Sequence, residues 1–126
     1  MNIEGFREGN LIKVYPEGHQ EGLLAIKEVF GSSFICEMIS PRPGYLFRTK
    51  HSEMNAIPLT EDWLLYAGYL KEEGDGVWTD DLGTVSFLWS GNKGTFQNHD
   101  SQPVGYVHEF QNEYERLTGE RIYFAI

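Results

Sequence analysis

The sequence predicts an α+β protein of one domain, residues 1–126, with an N-terminal β lobe over 1–56 and a C-terminal lobe of helices and strands over 57–126. Short runs of alternating apolar and polar residues fill the first part of the chain, and a second set lies in its centre. A stripe of apolar residues with helical spacing follows near the end. A length of 126 residues is ordinary for one domain.

The N-terminal lobe is predicted to contain four strands. They cover residues 11–15, 22–30, 33–39 and 45–49. Alternation is clearest in the second of these, where Leu24 and Ile26 fall on one face. The intervening turns at 16–20, 31–32 and 41–44 all contain proline or glycine, which favour turns and interrupt a strand ladder. Short antiparallel strands divided in this way indicate a small SH3-like barrel or a strongly bent meander.

The centre of the chain predicts a short helix and then three antiparallel strands. Thr60 is a candidate N-cap, and Gly68 ends the helix after about two turns. The strands are expected at 77–79, 84–89 and 95–97, between turns rich in glycine and aspartate. We expect the three tryptophans of this region to lie in the core or half in it: Trp63, Trp78 and Trp89.

The last part of the chain predicts a closing helix from Pro103 to Thr118. Its apolar residues recur at steps of three or four, which places them on one helical stripe: Val104, Val107, Phe110, Tyr114 and Leu117. Proline suits a first helical turn, with Ser101 or Asp100 as the cap before it, and Gly119 suits the C-cap. Residues 121–126 are short and apolar, and we expect them to add a strand to a sheet.

The composition of the chain indicates the cellular compartment and the classes of partner to expect. The net charge of −9 disfavours general nucleic-acid binding, which depends on neutralising phosphates. No apolar run approaches the roughly 20 residues of a membrane-spanning helix, and the first residues lack the apolar core of a secretory signal. Cys36 is the only cysteine, so no internal disulfide can form. We therefore expect a cytoplasmic protein without membrane association, and the sequence leaves homo-oligomer formation open.

No motif in the sequence predicts catalysis. His108-Glu109-Phe110-Gln111-Asn112 begins like the zinc-protease motif HExxH, but Asn112 replaces the second histidine and is a poor zinc ligand. The other histidines are scattered, and phosphate-binding glycine loops and nucleophile elbows are missing. Cys36 lies in an apolar strand and is expected to be a small core residue. We predict a protein that is not an enzyme, with no catalytic residue, metal site or cofactor.

The charge distribution is uneven in one stretch. Residues 38–52 contain no aspartate or glutamate, although the chain has 19 acidic residues. The stretch holds basic and aromatic side chains that we predict to form a ligand-binding site: Arg42, Tyr45, Arg48, Lys50 and His51. Guanidinium and ammonium groups beside aromatic faces can hold a phosphate and stack a base. The alternative is an ordinary solvent-exposed strand and loop.

An acidic cluster at 72–81 is the other concentration of charge. Its acids are Glu72, Glu73, Asp75, Asp80 and Asp81. Their spacing does not fit an EF-hand, and Val77-Trp78 interrupts them. A solvent-exposed turn explains the cluster better than a calcium site.

Three segments resemble a family of small uncharacterised proteins from Bacteroidetes genomes, prophages and phages. They are Arg7-x-Gly9-Asn10-Leu11-Ile12; 57–64, IPLTEDWL, followed by Gly68-Tyr69; and 106–112, YVHEFQN, followed by 117–120, LTGE. Members of that family typically carry IPLTEEWL followed by GF, and YVHQLQNLYFALTGEEL. This chain departs at Phe110, at 114–116 and at Arg121, which are conservative or surface changes. The resemblance implies a phage or mobile-element origin and a shared fold, and it transfers no catalytic residue.

Together these observations predict a non-enzymatic binding protein in the cytoplasm of a host cell. Its ligand is expected to be a small anion, for instance a nucleotide-type host-defence signal that the protein sequesters. The alternative is a protein–protein adaptor or inhibitor that acts on a host or phage protein through acidic surface and exposed aromatic residues. A hydrolase built on His108 is the least favoured hypothesis.

Overall fold

The computed structural model describes residues 6–14, 22–31, 33–40, 42–71, 77–79, 86–90, 95–97 and 103–125. The chain divides into two compact units, Met1–Ile57 and Pro58–Ile126. The architecture is α+β, as the sequence predicts: each unit contains one antiparallel sheet, and the second also contains two α-helices.

The first unit is a four-stranded antiparallel sheet in chain order. Its strands are β1 (Leu11–Val14), β2 (Gly22–Phe30), β3 (Ser33–Ser40) and β4 (Leu46–Lys50). A 3-10 helix, His51–Glu53, follows β4 and leads the chain back to β1. There Lys13 and Asn55 exchange two backbone hydrogen bonds of 3.0 and 2.9 Å. These bonds link the segment that follows β4 to β1, at the other end of the antiparallel sheet.

The core of this unit follows the alternation of the strands. Its buried residues are Phe6, Ile12, Leu24, Ile26, Phe34, Cys36 and Met54. Leu24 and Ile26 project inward from β2 until a register shift between Ile26 and Glu28, after which the strand is exposed as far as Phe30. A bulge of this kind sharpens the twist, which helps a short sheet to bend around one core.

The second unit begins with α1 (Glu61–Tyr66) and continues into a five-stranded antiparallel sheet. The strands are β5 (Leu70–Lys71), β6 (Val77–Thr79), β7 (Ser86–Ser90), β8 (Thr95–Gln97) and β9 (Pro103–Val104), again in chain order. The three predicted strands correspond to β6, β7 and β8, and the short β5 and β9 extend the sheet on both sides. Trp78 is buried, as predicted, and Trp63 is partly buried.

The first helix is confirmed where the sequence places it. Thr60 occupies the N-cap position with an extended backbone, although its side chain makes no capping hydrogen bond. Gly68 has a φ of +85°, a left-handed conformation that glycine adopts without a steric cost. The backbone amide of Tyr69 then bonds to the carbonyl of Leu64 at 2.9 Å, which closes the helix end.

The predicted start of the closing helix is wrong by four residues. The helix, α2, runs from Val107 to Thr118, whereas Pro103 and Val104 form β9 and pair with β8. Val104 is buried, but it reaches the core from a strand, so its agreement with the helical stripe is coincidental. Tyr106 is the N-cap, in place of Ser101 or Asp100, which lie outside the described residues.

A glutamate one turn inside α2 explains this boundary. The carboxylate of Glu109 accepts hydrogen bonds from the amides of Gly105 at 3.0 Å and Tyr106 at 3.2 Å. The two amides precede the helix, and the negative charge lies at the positive end of its dipole. Gly119 ends α2 with a φ of +77°, as predicted.

The predicted terminal strand is also wrong. Residues 121–125 form no strand, and the backbone amide of Ala125 bonds at 2.8 Å to the carbonyl of Tyr66, at the end of α1. The buried ring of Phe124 packs edge-on against Trp63, with centroids 5.2 Å apart. The segment therefore follows α1 because an aromatic anchor and a helix carbonyl hold it there; neither is visible in a local apolar pattern.

We expect Glu109→Ala to lower the free energy of unfolding of the second unit by about 1 kcal/mol, the ordinary contribution of a helix cap. Urea unfolding followed by tryptophan fluorescence measures it. Glu109→Gln keeps one acceptor oxygen and should lose less. Glu120→Ala, an exposed acid beyond the helix, is the matched control. An equal loss in Glu109→Ala and Glu120→Ala would contradict the capping role.

Candidate ligand-binding groove

A groove of about 530 Å³ lies within the first unit. It is lined by residues of all four strands, the 3-10 helix and the segment that returns to β1: Val14, Leu24, Met38, Phe47, Arg48, Thr49, Ser52, Glu53 and Asn55. Apolar side chains come from the four strands, whereas the hydroxyl, carboxylate and amide groups of Ser52, Glu53 and Asn55 come from one short segment. The groove therefore has an apolar part and a polar part.

Strand β4 carries groove residues on both of its faces. Phe47 lies opposite Cys36 on β3, and Thr49 lies opposite Phe34. Thr49 is buried and shares a hydrogen bond with the Cys36 thiol, which fixes this end of the strand against the core. Arg48 lies between them and is exposed, so its guanidinium remains hydrated and available to an anion.

The polar part is held by local hydrogen bonds. The carboxylate of Glu53 accepts a hydrogen bond of 3.0 Å from the backbone amide of Lys50, across the 3-10 helix. The side-chain amide of Asn55 donates to the carbonyl of Lys13 at 3.4 Å, beside the two backbone bonds that join these residues. Both side chains are thereby positioned at the place where the bent sheet is linked.

The structure disperses the residues that the sequence groups as a site. Arg48 lines the groove, but Arg42, Tyr45, Lys50 and His51 do not. Arg42 and Tyr45 are exposed in the turn before β4, and Lys50 is exposed at its end. His51 is partly buried, with its ring 4.7 Å from that of Phe34 in the core. The aromatic neighbour of Arg48 in the groove is Phe47, whose ring lies 6.3 Å from the more exposed Tyr45.

Most of the lining residues were not predicted. Val14 and Leu24 belong to strands far from the basic stretch, and only the pairing of the strands brings them to it. Glu53 and Asn55 directly follow the acid-free residues 38–52, and the turn of the 3-10 helix brings them back to β4. Met38 and Ser52, the two ends of that stretch, are the only lining residues that the charge pattern could have indicated in addition to Phe47–Thr49.

The local charge balance is more even than the sequence suggests. Glu37 lies opposite Leu46 across the β3–β4 ladder, and its carboxylate is paired with Lys27 at 2.9 Å. Glu53 adds a carboxylate to the groove itself. The residues that line the groove thus include one arginine, one glutamate and several apolar residues.

The other candidate residues remain structural within the described ranges. Cys36 is buried in the core, as predicted, and its burial raises the pKa of its thiol despite the hydrogen bond from Thr49. His108 is buried in α2, with its ring 5.9 Å from that of Tyr106 in a stacked arrangement. Of the acidic stretch 72–81, all five acids lie outside the described residues, as do His19 and His99.

The described part of the chain contains neither a cluster of metal-ligand side chains nor a helix that could span a membrane. No group of three or more histidine, cysteine, aspartate or glutamate side chains is arranged to hold a metal ion there. Neither α-helix of those ranges has the length and apolar character needed to cross a membrane.

Comparison of the chain with protein-family models, with curated proteins and with solved structures found no match.

Proposed function

We propose that this protein is a non-enzymatic binding protein whose first unit holds a small anionic ligand of nucleotide type in the groove beside β4. The observation that carries the proposal is Arg48, an exposed arginine among the residues that line a groove of about 530 Å³ with an apolar side. Ligand sites of a few hundred Å³ that combine apolar walls with a few polar groups are typical of small-molecule binding.

The chemistry of the lining fits the parts of a nucleotide. A guanidinium binds phosphate through paired hydrogen bonds. Phe47 and Met38 offer aromatic and thioether surfaces to a base. Ser52, Glu53 and Asn55 offer acceptors and donors for sugar hydroxyls or an exocyclic amine. A fully anionic ligand without such groups would be repelled by Glu53, so the lining favours a nucleotide over inorganic phosphate.

The biological setting in this proposal follows from the resemblance alone. A phage or mobile-element protein that sequesters a nucleotide signal of host defence would act in the host cytoplasm without turnover. Such a protein needs a binding groove and no catalytic group, and the groove around Arg48 supplies the first of these.

We expect Arg48→Ala to weaken binding of a nucleotide by about 10- to 100-fold, because it removes a charge-assisted pair of hydrogen bonds. Isothermal calorimetry against cyclic and linear nucleotides measures the change. Arg42→Ala is the matched control: it removes an arginine from the same basic stretch that does not line the groove. Its affinity should stay within about threefold of the wild type.

Two results would contradict the proposal. One is the absence of heat for every nucleotide at protein concentrations of about 1 mM, where even weak binding is detected. The other is a loss in Arg42→Ala that equals or exceeds the loss in Arg48→Ala, since the site would then be the β3–β4 turn and not the groove.

A protein–protein adaptor or inhibitor is the second candidate. It is favoured by the exposed aromatic and aliphatic side chains of the first unit: Val29, Phe30, Tyr45, Leu46 and Phe47. Exposed apolar side chains of this kind are common at interfaces. This candidate predicts a partner in a pulldown from host lysate and no small-molecule ligand.

A further inference from the structure

Among the described residues, strand β4 pairs with another strand on one side only. In the sheet order β1-β2-β3-β4 it is the last strand, with β3 on one side. The amide of Met38 donates to the carbonyl of Tyr45 at 2.7 Å, which fixes the phase of the ladder. Hydrogen-bonded pairs alternate along antiparallel strands, so the backbone groups of Phe47 and Thr49 also face β3. The amides and carbonyls of Leu46 and Arg48 therefore face away from the sheet.

One end of this edge is closed. The amide of Lys50, the next outward-facing residue, donates to the Glu53 carboxylate at 3.0 Å. This bond is consistent with the hydrogen-bond pattern deduced from Met38 and Tyr45, in which the amide of Lys50 faces away from β3. Among the described residues, no backbone group pairs with the outer side of Leu46 or Arg48. The open part of the edge is thus the stretch from Leu46 to Arg48.

The side chains along this edge are unusually apolar for a solvent-exposed strand. Leu46 is 65% exposed, and its neighbours Tyr45 and Phe47 are exposed as well. An open edge with exposed apolar side chains is a template for another strand, and proteins ordinarily shield such edges. Strand addition uses the edge amides and carbonyls for affinity and alternate side chains for specificity.

The charges near this edge favour an acidic strand as the binding partner. Arg42, Arg48 and Lys50 lie on or beside the edge, whereas the nearest carboxylates already have partners: that of Glu37 is paired with Lys27, and that of Glu53 accepts the hydrogen bond from the Lys50 amide. In a two-fold antiparallel pairing of β4 with β4 of a second copy, centred on the open stretch, Arg48 would lie opposite Leu46 and would gain no carboxylate partner. An acidic strand would instead place carboxylates opposite the arginine and lysine side chains.

We propose that the open edge of β4, from Leu46 to Arg48, binds an extended acidic segment of a partner protein as an added antiparallel or parallel strand. This interaction goes beyond nucleotide binding and does not depend on it. The edge contributes backbone groups, whereas the groove uses the guanidinium of Arg48. The two can be separated by substitutions at different positions.

The test uses a fluorescent peptide of about six residues, an ordinary strand length, with alternating valine and glutamate. Fluorescence anisotropy measures its affinity for the full chain. Leu46→Pro removes the outward amide without breaking the ladder to β3, because that amide faces away from it. We expect at least a tenfold loss of affinity. Leu46→Thr keeps the amide and a strand-forming side chain, and its affinity should stay within about threefold.

A second measurement leaves the protein unchanged. Peptides with N-methyl groups on alternate residues lose the donors on one edge only. One peptide carries the methyl groups on its odd-numbered residues and the other on its even-numbered residues. Because a strand bonds to one neighbour through one of its edges, one of these peptides should lose binding and the other should keep it. Equal affinity of both methylated peptides would overturn the proposal, whatever the folding of Leu46→Pro.

Two further outcomes would also overturn it. A valine–lysine peptide that binds as tightly as the valine–glutamate peptide, with the same sensitivity to Leu46→Pro, would remove the charge argument. A dimer in sedimentation experiments that Leu46→Pro converts to a monomer would assign the edge to a second copy of this chain. Nucleotide binding should be unchanged in Leu46→Pro, so failure of either proposal leaves the other measurable.

Discussion

Replacing Phe110 with alanine should lower the free energy of unfolding of the second unit by about 3 to 5 kcal/mol. Phe110 is completely buried on α2. Its ring lies edge-on to the buried Tyr69, at 5.3 Å between centroids, and 6.1 Å from the ring of Phe124. It thus joins α2 to Tyr69, which directly precedes β5, and to the C-terminal segment, and its truncation leaves a cavity that all three must relax to fill.

Tryptophan fluorescence suits this measurement because Trp63, Trp78 and Trp89 all belong to residues 58–126. Urea unfolding curves of wild type and Phe110→Ala should differ in midpoint with a similar slope. Tyr123→Ala is the matched control, since it truncates an aromatic residue of the same unit that is 80% exposed, and should change stability by less than about 0.5 kcal/mol. A loss of less than about 1 kcal/mol in Phe110→Ala would show that this ring is not a core contact.

Replacing Phe34 with alanine should destabilise the first unit by a similar amount, about 3 to 5 kcal/mol. Phe34 is buried on β3, with the ring of Phe6 6.5 Å away and that of His51 4.7 Å away. These neighbours precede β1 and begin the 3-10 helix. The ring therefore lies at the centre of the bent sheet, and its removal weakens the link between the two ends.

The loss of stability in Phe34→Ala can be measured through Cys36, the only cysteine of the chain. Cys36 is buried in the same core, so a thiol reagent reaches it only after the unit opens. We expect labelling of Cys36 to become about 150- to 4,000-fold faster in Phe34→Ala, because a loss of about 3 to 5 kcal/mol raises the population of the open state by that factor. Phe30→Ala removes the same side chain from a half-exposed position on β2, and its labelling rate should stay close to that of the wild type. Equal rates in the two variants would refute the central role of Phe34.

The strands and α1 could be predicted because their signals are local. Alternation placed Leu24 and Ile26 on the inner face, and Thr60 and Gly68 bounded α1. The start of α2 could not be predicted in this way. Val104 satisfies the helical stripe, yet β8 provides backbone partners for Pro103–Val104, and Glu109 caps the amides just before the helix. A helical spacing of apolar residues predicts which side chains share one face of a helix. It does not predict which backbone groups form hydrogen bonds with other strands.

The candidate site also combines features that could be predicted from local sequence with features that depend on strand pairing. The acid-free stretch drew attention to β4 and to Arg48, which lines the groove, but residues that are close in sequence on a strand need not share one surface. Thr49 is the one buried residue of β4, and the ring of His51 lies 4.7 Å from that of Phe34 in the core. Val14, Leu24 and Asn55 reach the groove only through the pairing of β1 with β2 and with the returning chain.

By itself, the sequence determined the α+β class, the four N-terminal strands, the short α1 and the position of Gly119 at the end of α2. The tertiary structure alone decided where α2 begins, how residues 121–125 are anchored, and which side chains share a groove. The physical reason is that turns, caps and periodicity act over a few residues, whereas strand pairing and aromatic packing join residues that are distant along the chain.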